Sequence, residues 1–451
     1  MYFFETLYHL LRHPLQRWLL AGTCLFCFPV SAQQVLGLEE CAELLIKNNL
    51  TFRGGQLLAE SAQAQWRQAK SQQLPTLGIN VSQGVNLGRS IDRFTNAYID
   101  QLYNSSYVGA RVQETVFQGF QVQNQIRQYK LLKESSLESS TAVRNEQLLL
   151  MVQAYVQVLA SKALYESAQQ QVATSKEQVD RVEKQVKAGV VGANGLYEIR
   201  AQLSNDTFDE VTALNNYRLA RLTLFQLLNI PPDPDTQFRP LSVKADEPVA
   251  LAAGELFDEA EKNFPIIRAA ELRRQSFGYL VKSIKALNYP SLNASADFGA
   301  FYASTNKQLD YFAQLNATRN GSLSLGLYIP IMGRWQTRPR VELAQVQERI
   351  ARNDLDQSRL LLRQGIEQIV LDVTASQDRY QAAREQAEAL EASYATVASR
   401  LNAGTATIFE YSLSKANLAR AQANAIRATY EYIMNRKILQ YYRQGSWDGI
   451  L

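Results

Sequence analysis

Apolar and polar residues alternate along four segments of the chain. In the first segment, Leu77, Ile79 and Val81 are separated by small or polar residues. A period of two places the apolar residues on one face of a β-strand and the polar residues on the other. The four alternating segments are 77–87, 108–116, 292–300 and 322–331. They predict two β-hairpins, at 76–117 and 290–331, each with a long polar loop inside it.

Most of the remaining chain is predicted to be helical. The stretch from Phe120 to Lys187 contains no proline or glycine, and good helix formers predominate. As one helix it is roughly 100 Å long, so it must pack along its length as a coiled coil. The pattern predicts long helices at 120–188 and 337–402, shorter helices after them at 196–229 and 408–443, and a helix before each hairpin.

The chain repeats this plan after 215 positions. Pro75 and Pro290 open the two hairpins, and Gly189 and Gly404 close the two long helices. The heptad positions before each glycine also correspond: Ser175, Val179, Val182 and Val186 match Leu390, Tyr394, Val397 and Leu401. A long-period duplication indicates two copies of one supersecondary unit. We therefore divide the chain into a first repeat at 33–230, a linker at 231–253 and a second repeat at 254–451.

Residues 1–32 have the features of a secretory signal peptide. Arg12 and Arg17 precede the apolar run 18–30, and small residues follow it. The alternative, a membrane anchor, has a run shorter than a bilayer span needs. Removal of the signal leaves no histidine and one cysteine, Cys41, which we expect to be a buried helix residue.

That composition argues against several classes of protein. Without histidine, a Ser-His-Asp or Cys-His nucleophile pair and a His-rich metal cage are excluded, so no catalytic, cofactor or metal site is predicted. The net charge is +4 and basic residues are spread among acidic ones, which does not suggest a nucleic-acid partner. No run of 18 unbroken apolar residues follows the signal, so no transmembrane helix is expected.

The alternating segments have the length of strands that cross a bilayer, about 10 residues. A soluble β-sandwich strand shows the same alternation, but no further sheet is predicted on which these strands pack. Four strands cannot close into even the smallest membrane barrel, and unpaired edges in lipid are costly. If the strands span a membrane, several subunits must share one barrel. Aromatic residues near the strand ends are candidates for interfacial girdles, or are ordinary strand composition: Tyr107, Phe117, Phe301, Tyr302 and Tyr328.

The ensemble of these features resembles the TolC family of outer-membrane efflux proteins. The resemblance rests on the order of elements, the duplication, the two glycine turns and the segment Ala403-Gly404-Thr405 followed by Thr407-Ile408-Phe409-Glu410. It implies a mainly α fold with a membrane β-barrel portion: a homotrimer with a 12-stranded β-barrel in outer-membrane lipid, continued by a periplasmic α-helical barrel. It also implies a periplasmic adaptor protein and an inner-membrane pump as partners, and no catalytic site.

The resemblance also implies roles for residues at the helix ends. Residues of two tip turns are expected to contact the adaptor: Gly189, Val190, Val191 and Gly192 in the first, and Gly404, Thr405 and Ala406 in the second. The alternative is that the glycines only reverse the chain. Glu198 and Glu410 are expected to form rings of carboxylates at the tunnel entrance, or else are ordinary solvated charges.

Three positions depart from the family pattern that holds the tip closed. Leu413, Ala406 and Leu401 stand where the family has an acid, an arginine and a tyrosine. We therefore expect a hydrophobic or differently bonded gate. For function, the sequence favours the exit duct of a tripartite efflux pump. The exit duct of a type I protein secretion system remains an alternative, and a soluble periplasmic coiled-coil adaptor or scaffold is a weaker one.

Overall fold

The computed structural model describes residues 35–242 and 253–451. The predicted signal at 1–32, and residues 243–252 of the predicted linker, lie outside the described residues.

Two long helices dominate the described chain. They are α3 (Gln121–Lys187) and α8 (Arg334–Asn402). The shorter helices are α1 (Leu38–Asn48), α2 (Leu50–Ser71), α4 (Ala193–Leu228), α5 (Ala253–Asn263), α6 (Pro265–Lys285), α7 (Tyr311–Thr318) and α9 (Ile408–Gln444). The strands are β1 (Val35–Leu36), β2 (Thr76–Asn86), β3 (Arg89–Ile91), β4 (Tyr98–Asp100), β5 (Tyr103–Gln118), β6 (Gln237–Phe238), β7 (Ser291–Ala303) and β8 (Asn320–Tyr328).

The shorter helices pack lengthwise on the long ones. Helices α2 and α4 pack on α3, α9 packs on α8, and α6 packs on both α3 and α8. The second long helix begins three residues before its predicted start and includes Pro339 in its second turn. Pro339 lies beyond the first turn, so it removes one i→i−4 hydrogen bond of the helix, the one to the Trp335 carbonyl.

The predicted hairpins form one four-stranded antiparallel sheet in the order β2-β5-β7-β8. Its register aligns the apolar positions of neighbouring strands, such as Val81 with Val108 and Val108 with Ala300. One face is therefore apolar across all four strands and the other is polar or small. Both outer strands, β2 and β8, have a free edge in the single subunit.

The loops within the hairpins contain structure that the sequence interpretation did not include. The first contains the short β3–β4 hairpin, whose turn is held by the Asp92 carboxylate, which accepts hydrogen bonds from the backbone N–H groups of Phe94 and Thr95 at 2.8 and 2.9 Å. The second contains α7, capped by Asp310, which accepts from Ala313 N at 2.7 Å. Asp residues favour such turns and caps because the carboxylate satisfies free N–H groups.

The main hydrophobic core lies around the middle of α3. It includes residues with at most 1 % exposure: Cys41, Leu45, Met151, Tyr155, Leu224 and Trp447. Part of the predicted irregular linker closes this core, because β6 pairs in parallel with β1 and the Tyr155 hydroxyl donates to the Arg239 carbonyl at 2.7 Å. The expected burial of Cys41 on a helix is confirmed.

Helix α3 also contains an 18-residue window that is long and apolar enough to cross a membrane, and half of that window is buried in the protein. The sequence predicted no such helix because it has no unbroken run of 18 apolar residues, and a window with a few polar residues was missed. The apolar composition of this window is explained by its packing in the core and does not require a membrane.

Candidate functional site

The two predicted tip turns have the same backbone geometry. Gly189 and Gly404 have φ angles of +74° and +75°. Beyond each long helix, the N–H two residues past the cap donates to a carbonyl in the last turn: Val190 to Gln185 at 3.0 Å and Thr405 to Arg400 at 2.9 Å. This is the Schellman motif, which needs a left-handed residue, usually glycine. An added Cβ meets nothing within 4 Å at either glycine, so backbone conformation alone requires glycine there.

The structure brings the two tip turns together within one subunit. Gly195, just after the first turn, lies under the Ile408 side chain, which comes just after the second. Of the predicted adaptor-contacting residues, Val191 and Ala406 are half-buried and the others are exposed, with Val190 at 74 % exposure. The predicted residues thus form one exposed end of the helices, which is a necessary condition for contact with a partner.

Behind the turns lies an apolar group that we call the tip cluster. Val182, Ile199 and Tyr411 are buried at its centre, and the hydroxyls of Tyr394 and Tyr411 are 2.9 Å apart. The half-buried members are Val179, Val186, Val191, Leu196, Tyr394, Val397, Ala398, Leu401 and Ile408. Most of the predicted heptad positions lie here, and so does Leu401, one of the departures from the family pattern.

The two predicted entrance acids have different surroundings. Glu410 and Thr407 form a capping box at the start of α9: Thr407 N donates to Glu410 Oε2 at 2.8 Å, and Glu410 N donates to Thr407 Oγ1 at 3.2 Å. The hydrogen bond from the Thr407 backbone holds the pKa of Glu410 below its usual value, with a smaller contribution from the charge of Arg400. Glu198 is exposed on α4. Glu410 thus has a structural role that sequence reasoning did not assign.

Further along the helices, a buried ion pair joins α3, α4 and α9. Lys415 on α9 donates to Asp206 Oδ2 on α4 at 2.7 Å and to the Gln171 carbonyl on α3 at 3.0 Å. Both charged side chains are 6 % exposed. Ser175 on α3 contacts both groups, and Gln202 donates to the second Asp206 oxygen at 2.8 Å. We call Lys415, Asp206, Ser175 and Gln202 the polar latch.

Sequence reasoning missed the polar latch, although one of its members gave a signal. Ser175 occupies a heptad position that the corresponding residue of the second repeat, Leu390, fills with an apolar side chain. A polar residue in an apolar seam needs a hydrogen-bonding partner when buried. The partners are 31 and 240 residues away, so only the fold identifies them.

The sheet presents chemically distinct faces. On the apolar side, the free edge strands expose Ile79 and Leu323 at 76 and 84 %. On the polar side, Arg111 on β5 forms an ion pair with Asp297, its direct neighbour on β7. Tyr107 also lies on the polar side, over Gly109 and Gly299, and so does not share the face of the exposed apolar residues.

Among residues 35–242 and 253–451, the structure contains no group of three or more His, Cys, Asp or Glu side chains that could hold a metal ion.

Comparison with known proteins extends over both repeats. The sequence pattern described as "outer membrane efflux protein" matches residues 42–229 and 256–440. No curated protein sequence matches significantly.

Solved structures resemble the fold closely at low identity. The outer membrane protein VceC from Vibrio cholerae superposes with a TM-score of 0.76 at 16 % identity, covering 91 % of this chain and 96 % of that one. The CmeC outer membrane channel of Campylobacter jejuni gives 0.79 at 16 % identity, covering 90 % and 85 %. The outer-membrane channel OprN gives 0.78 at 18 % identity, covering 91 % and 90 %. At such low sequence identity, the similarity to these structures shows a shared fold and no more.

The pattern match covers most of both repeats, with the tip turns inside the matched ranges. The superposed outer-membrane channels cover most of this chain, so they share its fold. The expected resemblance is therefore confirmed, and the chain is an outer-membrane protein that belongs to the outer membrane efflux protein family.

Proposed function

We propose that three copies of this chain form the outer-membrane exit duct of a tripartite efflux pump, which passively conducts small molecules delivered by a periplasmic adaptor and an inner-membrane pump. The observation that carries the proposal is the open sheet with one apolar face. Its outer strands β2 and β8 leave backbone groups unpaired along edges that expose apolar side chains. Such edges are not tolerated in lipid, so the sheet must continue into another copy.

The strand directions favour closure between identical copies. All three pairings within the sheet are antiparallel, so β2 and β8 run in opposite directions. Strand β8 of one copy is then antiparallel to β2 of the next, as transmembrane barrels require. A dimer would provide eight strands and a trimer twelve. We propose the trimer because the family resemblance implies it, with the apolar face toward lipid, the polar face toward the lumen and the helices in the periplasm.

The tip of the helices is the proposed entrance and adaptor-binding end. The exposed turn residues Gly189, Val190, Gly192, Gly404 and Thr405 offer the contact surface, together with the half-buried Val191 and Ala406. Carboxylates of Glu198 and Glu410, repeated in each copy, would favour cations at the entrance. We propose that the tip cluster and the polar latch hold the entrance closed. They would replace the contacts that an arginine, a tyrosine and an acid make in the family, since Ala406, Leu401 and Leu413 at those positions lack the polar groups.

The test measures the mass of the oligomer, its conductance in a lipid bilayer and the proteins to which it can be cross-linked. The detergent-extracted protein is expected to be a trimer, to form channels in a planar lipid bilayer, and to be recovered after cross-linking in cells with an adaptor and an inner-membrane pump. A monomer without channels contradicts the proposal. Recovery of an ATP-driven polypeptide exporter would instead assign the chain to type I secretion. The alternative of a soluble periplasmic scaffold does not fit an outer-membrane family.

A further inference from the structure

The polar faces of β5 and β7 lie side by side and form a ladder of paired residues. Going from the outer loops toward the helices, the pairs are Tyr107 with Phe301, Gly109 with Gly299, Arg111 with Asp297, and Gln113 with Ser295. Two glycines directly opposite each other leave a gap in the wall of side chains, because neither carries a Cβ.

The ring of Tyr107 fills this gap. A Cβ built on Gly109 would be 2.7 Å from Tyr107 Cζ and 2.8 Å from Cε1. A Cβ built on Gly299 would be 2.8 Å from Cζ and 2.9 Å from Cε2. The opposite edges of one ring thus contact the two glycines, so the ring lies flat across both strands. Aromatic residues cover strand glycines in this way in β-sheets.

A methyl group at either glycine is incompatible with this position of the ring. Non-bonded carbon atoms are optimally separated by about 3.5–4.0 Å, well beyond the distances above. The backbones of β5 and β7 lie beneath the ring, so it can leave only by turning away from the sheet, toward the polar side. Tyr107 is 39 % exposed on that side in the single subunit.

We infer that the Gly109–Gly299 pair holds the Tyr107 ring against the barrel wall and thereby sets the largest solute that passes the outer part of the lumen. The inference rests on the proposed function, because it takes the polar face to line the pore. Repetition of the ring in each copy places several such rings at one level. If an added methyl group turns the ring away from the sheet in every copy, the rings together narrow the lumen of the barrel.

The test uses a cysteine reporter below the ring. Ser295 is on the same face, four residues from Gly299 toward the helices, or about 13 Å along the strand. A Ser295→Cys variant is labelled in intact cells with a small charged methanethiosulfonate or a bulky polymer-linked maleimide added outside. Cys41 is buried and burial raises its pKa to about 12, so it gives little background.

In the Ser295→Cys background, Gly109→Ala and Gly299→Ala are each expected to slow labelling by the bulky reagent about tenfold. A tenfold change in rate corresponds to an increase of about 1.4 kcal/mol in the barrier to passage of the reagent. Labelling by the small reagent should stay within a factor of about two, well under 1 kcal/mol. Gly78→Ala and Gly326→Ala are matched controls, because an added Cβ there meets nothing within 4 Å. Tyr107→Ala combined with Gly109→Ala should restore the original rate.

Equal rates for Gly109→Ala, Gly299→Ala and the controls would overturn the inference. If an alanine variant fails to assemble, recovery of assembly in the double variant supports the ring contact, and failure of the double variant counts against it. An Ala296→Cys reporter on the opposite face separates the two proposals. If aqueous reagents label Ala296→Cys and not Ser295→Cys, the orientation in the proposed function is wrong. If Ser295→Cys is labelled but insensitive to the glycine changes, only the role of the ring fails.

Discussion

At the scale of single residues, Glu410 combines a structural and a proposed electrostatic role. Its carboxylate closes the capping box of α9 and also stands exposed near the tip. A neutral amide keeps the acceptor oxygen that the cap needs but removes the charge. The two roles are therefore separable by substitution.

We expect Glu410→Gln to reduce the cation preference of the channel while the start of α9 remains ordered. Glu410→Ala should reduce cation preference and also weaken the helix cap, because it removes the oxygen that accepts the hydrogen bond from Thr407 N. Reversal potentials in a salt gradient measure the first effect, and hydrogen exchange of the tip peptide measures the second. Thr407→Ala is the control, since it weakens the cap and retains the charge.

An unchanged reversal potential in both Glu410 variants would show that this carboxylate is a cap alone. The pH dependence provides a further check. Because the folded-state pKa of Glu410 lies below its ordinary value of 4.5, its ionised form stabilises the cap above that pH. The stabilisation is lost as the pH falls through the lowered pKa, and in Glu410→Gln this pH dependence should be absent.

The polar latch predicts a large effect from one substitution. Lys415→Met leaves the buried Asp206 carboxylate without its cation, which we expect to cost about 3–5 kcal/mol of stability and to increase open-channel current. Lys184→Met is the matched control, because its ion pair with Asp180 is exposed and should be worth at most about 1 kcal/mol. Thermal unfolding and single-channel recording measure both effects.

A second substitution identifies the cause. In the double variant Lys415→Met with Asp206→Leu, no charge remains buried, so most of the lost stability should return. If channel current stays high in this stable double variant, the ion pair itself closes the entrance. If Lys415→Met is as stable as Lys184→Met, the polar latch does not hold the helices together.

At the scale of elements, hydrophobic periodicity predicted the strands and long helices to within a few residues. Its errors occur at ends and in loops. The predicted start of α8 at residue 337 is three residues late, and α7 was missed because an eight-residue helix has a weak signal. Gly189 and Gly404 marked the ends of the long helices correctly, since a left-handed cap is a local requirement.

The two faces of β2 predict opposite responses to charge. Ile79 is on the apolar face and Asn80, the next residue, is on the polar face. Ile79→Lys is expected to cost about 2–4 kcal/mol if the site lies near the middle of the bilayer, and to lower the amount of protein assembled in the outer membrane. Asn80→Lys should assemble normally. Fractionation and heat-resistance of the oligomer measure the difference, and equal assembly would argue against an apolar face in lipid.

At the scale of the whole molecule, one subunit leaves apolar surface uncovered on its helices as well as on its sheet. Phe208 and Val211 on α4 are 72 and 52 % exposed, and Ile350 and Leu361 on α8 are 55 and 57 % exposed. Large exposed apolar surfaces on soluble segments usually mark interfaces. We propose that a neighbouring subunit covers each of these helix faces below the barrel.

This surface predicts a specific effect on assembly. Phe208→Glu should lower the trimer fraction in detergent, because it buries a charge in the proposed interface. Thr207→Glu adds the same charge on an exposed position about 100° around the helix, and should leave assembly unchanged. Chemical cross-linking and size-exclusion chromatography with light scattering provide the measurement. Equal trimer fractions would place the interface elsewhere.

The sequence by itself determined the features that depend on local chemistry. Alternation specified which strand face is apolar, Gly189 and Gly404 specified the tip turns, and the 215-residue repeat predicts two equivalent units. Tertiary structure alone decided which distant side chains meet. The Lys415–Asp206 pair, the contact of the Tyr107 ring with Gly299, and the β1–β6 pairing join residues that no local pattern relates. The periodicity of apolar residues identifies the apolar face of each helix or strand, but not the element that packs against it. These contacts depend on the register and packing of elements far apart in the chain.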